Sequence, residues 1–267
     1  MKFGTIIGIL LSMAGVALGA TMEGTNVMVV INIPAILIVL VGTLGATIAA
    51  CGLEPHLKAP LLYKKAIMPD DLDLVGRVNE LVGYAEKARR DGLLALDEAV
   101  AGIDDAYTRK GMQLVVDGTD PELVYAVLDA ENEGMRKRHA LARAPFTQAG
   151  GFAPTMGIVG TVFGLVNVMN NLNNPESLGP LIAAAFLATL IGVGSANIVF
   201  LPMANRLKEL SEQELHFREM TLEGILGIQA GDNPRIIAEK LMAFVPPSKR
   251  PTEDEQAASA SAAQQAA

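Results

Sequence analysis

The chain has 267 residues, 51% of them hydrophobic and 19% charged, with a formal net charge of -8 at pH 7. An acidic chain lacks the basic footprint that nucleic acid requires, and one cysteine, Cys51, excludes an internal disulfide framework. There is no CxxC or HExxH motif, nucleophile–base set or phosphate loop, and His56, His139 and His216 are scattered. Neither an enzyme activity nor a metal or other cofactor is expected.

Four stretches carry no charge and are long enough to cross a hydrocarbon layer of about 30 Å: Phe3–Met22, Gly24–Leu53, Ala144–Pro175 and Ser177–Asn205. They predict an all-α polytopic membrane protein with four transmembrane helices, at Phe3–Ala20, Met28–Cys51, Phe146–Met169 and Leu178–Leu201. The first could pass for a signal peptide, but a second apolar stretch follows within a few residues, as in a helical hairpin. Pro34 sits near the start of the second helix, where a missing N–H is tolerated.

Between the second and third helices lies a polar insert. Leu72, Val75 and Val82, then Leu93, Leu96, Val100 and Ile103, recur at helical spacing. Asp120-Pro121-Glu122 has the chemistry of a helix start, and no alternating strand pattern of useful length appears. Several short helices are expected there. After Pro202, which should end or kink the fourth helix, 206–228 reads as an amphipathic helix, Gly231-Asp232-Asn233-Pro234 as a turn and 234–244 as a last helix. The expected domains are therefore 1–53 and 146–203 for the paired membrane helices, 54–145 for a helical cytoplasmic domain, 204–245 for C-terminal cytoplasmic helices, and 246–267 for a disordered tail rich in Pro, Ser, Ala and Gln.

The turns 21–27 and 170–176 contain no Lys or Arg, so all 21 basic residues fall on one side of the membrane. By the positive-inside rule both termini and the insert are cytoplasmic. None of the four helices contains Asp, Glu, Lys, Arg or His. Ion-coupled machines need an ionisable group at depth. Either this chain is not ion-coupled, or another chain brings the carboxylate.

The polar groups available at depth include Thr155, Thr161, Thr189 and Asn197. Counting from the two ends of an antiparallel pair puts Thr161 and Thr189 near mid-depth on neighbouring helices. They either solvate a cation or water chain beside a partner's acid, or bond back to their own helix carbonyls as packing residues. Pro154 and Pro202 lie near the cytoplasmic boundary. They are helix punctuation, or a pair of kinks that couple movement at the membrane path to the cytoplasmic part.

The run from Phe152 through Pro154, Thr161 and Gly164 to Leu165 resembles the third transmembrane helix of the MotA/PomA flagellar stator subunits. Asn174–Pro180 is similar to the outer turn that follows, and Ala188-Thr189-Leu190 with Asn197–Ala204 to the fourth helix. Ala88–Glu98, Val116–Asp120 and Gly227–Arg235 resemble further blocks of that family, in the same order. The resemblance implies a homopentamer in the bacterial cytoplasmic membrane around MotB/PomB-type single-span subunits that supply an ion-binding aspartate. It implies transport of H+ or Na+, with proton or sodium motive force converted into torque. It also implies that Arg89 or Arg90 and Asp97 or Glu98 contact the rotor switch protein FliG. Thr161, Thr189 and Asn197 resemble the sodium-driven branch, whereas Asn32 departs from it, since an acid commonly stands near that position. The alternatives are an ExbB/TolQ-like energiser of membrane transport, which has three spans and an outward N-terminus, and an uncoupled scaffold or channel.

Overall fold

A computed structural model describes residues 4–25 and 27–250. Most of the expected disordered tail, 251–267, lies outside the described residues, as does Lys2. Every regular element among the described residues is helical. Among the described residues four helices are long and apolar enough to cross a membrane: Gly4–Met22, Ile33–Cys51, Pro121–Asn170 and Pro175–Ala230, called here the first to fourth long helices. The described chain forms two compact units, residues 4–70 with 136–211 and residues 71–135 with 212–250.

In the first unit, the first long helix buries none of its residues. Leu10, Leu11 and Leu18 are among its exposed side chains, as expected of a surface meant for an apolar solvent. The second long helix starts on an Asn32 cap, whose Oδ1 accepts from Ala35 N at 3.1 Å, followed by Pro34 in the first turn. It widens into a π-helical turn at Leu37–Val41 before running on to Cys51. Gly52, at φ 77°, ends it. A single turn, Glu54–Leu57, leads into the helix Ala59–Ile67. There Ala66 packs with Phe146, Met203 and Ala204, and Tyr63 meets Phe146 edge-on at 5.1 Å.

The third and fourth long helices continue through their prolines. Pro145 and Pro154 lie inside the third, and Pro180 inside the fourth. At Pro202 the helix does not end. Proline has no N–H for the Ile198 carbonyl, and the ladder adjusts one turn earlier as a π-helical turn, Ala196–Phe200. Leu201 N–H reaches back five residues to Ala196 O, and Asn197 Nδ2 donates to Val193 O at 2.9 Å. The helix then runs without a break to Ala230.

The second unit is built on the predicted apolar faces. Leu96, Val100 and Ile103 are buried together with Leu81, Met112, Leu128, Ile225, Ile237 and Leu241, and Leu93, Val75 and Val82 pack against them. Its helices are Leu74–Asp91, Asp97–Ala101, Ala106–Val116 and Pro234–Met242, plus the ends of the two longest helices. Asp73, Asp105 and Asn233 cap three of them through side-chain oxygens. Asp120 Oδ1 accepts from Glu122 N at 2.9 Å where the third long helix starts at Pro121.

Candidate functional site

The third and fourth long helices meet through small residues. A Cβ on Gly164 would stand 2.5 Å from Ala185 Cβ, and one on Gly160 2.6 Å from Ala188 Cβ. One on Gly157 would stand 2.9 Å from Ala188 O and 3.4 Å from Gly192 Cα. The pairing 164–185, 160–188, 157–192 is an antiparallel register. Glycine and alanine at this spacing let two backbones approach closely in an apolar medium.

Thr161 and Thr189 lie on this seam, each half-buried. Their hydroxyl oxygens are 2.5 Å apart. Thr161 Oγ1 also lies 3.1 Å from Gly157 O and 3.2 Å from Ala185 O, and Thr189 Oγ1 is 3.5 Å from Gly157 O. Four oxygens from two helices thus converge. The bond from Thr161 to Gly157 O is the within-helix bond of a packing threonine, yet the same hydroxyl reaches the other helix. Hard oxygen donors of this kind suit a sodium ion's partial hydration shell or a chain of waters.

The second long helix covers this seam. Ala35 and Val39 pack with Ala188 and Ile191, Ile38 Cγ2 lies 3.5 Å from where a Gly160 Cβ would be, and a Gly42 Cβ would be 3.1 Å from Met156 Sδ. Its buried stripe continues through Thr43 and Thr47. Thr47 Oγ1 lies 2.9 Å from Leu44 O and 3.0 Å from His56 Nε2, while Thr43 Oγ1 is buried without a hydrogen-bond partner. The sequence shows these threonines but not which way they face.

The other expected path residues are not drawn into the oxygen cluster. Thr155 is exposed, with its hydroxyl donating to Phe152 O at 2.8 Å. Asn197 is exposed and satisfies the carbonyl of Val193 inside the π-helical turn. Pro154 and Pro202 are half-buried, each within an unbroken helix.

In the second unit Arg89, Arg90, Asp97 and Glu98 are all exposed. Gly92, at φ 87°, closes the helix carrying the arginines, and a 3-10 turn, Leu93–Leu96, leads to the helix carrying the acids. Arg90 Nε is 3.2 Å from both Asp91 carboxylate oxygens. Glycine can adopt this positive φ without strain. The two charge pairs therefore sit on either side of a glycine bend instead of along one helix.

Sequence pattern missed the polar anchors of this unit. Arg77 donates to Thr108 Oγ1 at 2.7 Å, pairs with Glu80 at 3.2 Å and Asp105 at 3.5 Å, and lies 5.0 Å over the Phe217 ring. Burial pushes the Asp105 carboxyl up, but the hydrogen bonds from Thr108 and the charges of Arg77 and Arg218 outweigh it and hold it below the usual value. Burial also drives the Tyr107 hydroxyl up to about 12, against the Asn132 hydrogen bond and the Arg218 charge. Arg218 lies 5.0 Å over the Tyr107 ring.

Residues 99–220 match the model of the MotA/TolQ/ExbB proton channel family. Motility protein A of Bacillus subtilis is 35% identical over 250 residues, covering 92% of each chain. The chain belongs to this family. Its relatives place it with the MotA/PomA flagellar stator subunits, as a multi-pass membrane channel component and not an enzyme. Chemotaxis protein PomA of Vibrio alginolyticus is 33% identical, over 95% of this chain and 99% of PomA. The fold matches a solved C. jejuni MotAB structure with a TM-score of 0.89 at 29% identity, over 95% of this chain and all of that one. It matches the flagellar MotAB stator complex of Bacillus subtilis with a TM-score of 0.86 at 35% identity, covering 92% and 96%.

Proposed function

We propose that this stator subunit forms one wall of a cation path whose titrating carboxylate belongs to a MotB/PomB-type single-span partner. One observation carries the reading: two hydroxyls and two carbonyl oxygens converge at Thr161 and Thr189 within the stretches 144–175 and 177–205, which hold no charged side chain. An ion or water chain there has oxygen ligands, but no group to bind and release a proton until a second protein brings one. Thr155 and Asn197, on the same two helices, line the approach to that cluster.

The π-helical turn above Pro202, and the carbonyl of Gly150 that lacks an N–H partner at Pro154, supply two places where the helices can change shape. Movement there passes toward the charge-bearing unit. Arg89, Arg90, Asp97 and Glu98 are the rotor-contacting charges, acting on FliG. Exposed charges suit a contact that must form and release quickly. The lack of basic residues in the turns 21–27 and 170–176 supports cytoplasmic termini. The similarity to MotAB complexes supports several copies, five by the family pattern, around the partner helices.

The test is swimming speed against sodium concentration at fixed membrane potential, for the native chain and for Thr161→Ala. A changed ion dependence in the variant supports the path. Identical curves remove Thr161 from it, and a flat native response assigns the proton as the coupling ion.

A further inference from the structure

A cavity of about 610 Å³ lies between the start of the first long helix and the fourth long helix from its π-helical turn to Glu209. Thr5, Asn205, Arg206 and Glu209 line its outer end, Gly8, Ile9, Pro202 and Ile198 line an apolar stretch further in, and Ser12 stands beyond them on the first long helix. Arg206 is the first charged residue after the charge-free stretch 177–205, so the polar end stands where an apolar layer gives way to water.

The arginine carries an unmet demand. Its Nη1 donates to Glu209 Oε2 at 2.8 Å, while its Nε is buried and has no hydrogen-bond partner. A buried donor left without an acceptor is costly, and more so on a charged group. Guanidinium matches phosphate through two parallel N–H donors, and Arg206 has only one side of its fork in use. Glycine at 8 opens the groove beside it: a Cβ there would meet nothing within 4 Å.

We propose that this cavity holds one membrane phospholipid, with its phosphodiester on the free edge of the Arg206 guanidinium, near Thr5, and an acyl chain along Gly8, Ile9 and Ile198. A rotation of the guanidinium about its side chain presents Nε–H to the phosphate. The apolar stretch of Gly8, Ile9, Pro202 and Ile198 next to the guanidinium matches a lipid better than a free anion, which would leave that stretch empty. The site would tie the first long helix to the segment that follows Pro202.

The experiment uses the detergent-purified complex of this chain with its single-span partner and counts bound phosphatidylglycerol by native mass spectrometry during lipid titration. The native chain is expected to take one saturable lipid per copy. Arg206→Gln should weaken binding roughly tenfold, as loss of a charge-assisted hydrogen bond implies. Gly8→Leu should fill the groove and weaken binding similarly. Its added atoms start in open space, so it stands as the second variant if Arg206→Gln fails to assemble.

Unchanged lipid binding in an assembled variant overturns the proposal. Equal binding of diacylglycerol shows that no phosphate is recognised. Equal stabilisation by glycerol 3-phosphate assigns a free anion instead of a lipid. Absence of saturable lipid, with subunit assembly altered by Gly8→Leu, assigns the cavity to a second copy of the chain. Each of these three results also overturns it. Binding is read without torque, so the result is independent of the rotor and ion-path reading.

Discussion

Gly157→Ala adds one methyl group in the tight seam between the third and fourth long helices, beside the oxygen cluster. That methyl carbon would stand 2.9 Å from Ala188 O and 3.1 Å from Thr189 Cα, both backbone atoms of the other helix. Ordinary contact begins near 3.4 Å, so the helices must separate by about 0.5 Å (3.4 less 2.9). The same displacement applied to the oxygen cluster moves Thr161 Oγ1 from 3.2 Å to about 3.7 Å from Ala185 O, beyond hydrogen-bonding range. Thr189 Oγ1, at 3.5 Å from Gly157 O, goes to about 4.0 Å. The 2.5 Å hydroxyl pair, stretched to about 3.0 Å, and the within-helix bond from Thr161 to Gly157 O keep a useful length. Overpacking of this kind costs about 1–3 kcal/mol, offset in part by the better helix propensity of alanine, about 1 kcal/mol. The helices should still insert, while the oxygen cluster opens. The assay is swimming speed and ion flux of complemented cells, with membrane abundance measured in parallel. Gly15→Ala is the control, since its Cβ meets nothing within 4 Å. Normal speed and flux in Gly157→Ala would refute the claim that this seam holds the path geometry.

Pro202→Ala restores an N–H for the Ile198 carbonyl and should replace the π-helical turn by regular helix, favouring the helix by up to about 3 kcal/mol; membrane abundance should hold while torque falls, and normal swimming would count against coupling through this turn. Reversing Arg90 to Glu and Glu98 to Arg together should reduce stator recruitment to the motor; tagged stators counted at rotating motors with unaltered numbers would remove these residues from the rotor contact. For Asp105 the folded-state pKa is lowered, so its contribution to stability is complete above the ordinary value of 3.8 and is lost as pH falls through the folded value. Thermal unfolding of the purified protein should accordingly show a steeper acid loss in the native chain than in Asp105→Asn; parallel curves would contradict that assignment.

The four long apolar helices were legible because a charge-free stretch of that length has few other uses. The depth match of Thr161 and Thr189 was legible too, since an antiparallel pair joined by a short turn fixes which residues stand level. The cap at Asp120 followed from local chemistry. The course of the backbone at the prolines was not legible. A proline removes one hydrogen bond and adds a clash, but whether a helix stops, kinks or slips into a π-helical turn depends on what packs around it. At Pro202 the slip lies upstream, and at Leu37–Val41 a similar turn occurs with no proline inside it. Arg77 and Arg218 were equally hidden. Their partners, Phe217 and Tyr107, lie more than a hundred residues away in the chain, so no periodicity could pair them. Nor could the sequence show that Gly92 puts the two sets of exposed charges on separate helices, only that it was able to.

The most direct measurement is ion conductance of proteoliposomes holding this chain alone, the chain with its single-span partner, and the chain with a partner whose membrane aspartate is replaced by asparagine. Four membrane-spanning stretches without a charged residue predict conductance only in the second case, sensitive to Thr161→Ala. A comparable current from this chain alone, or from the asparagine complex, would contradict the account.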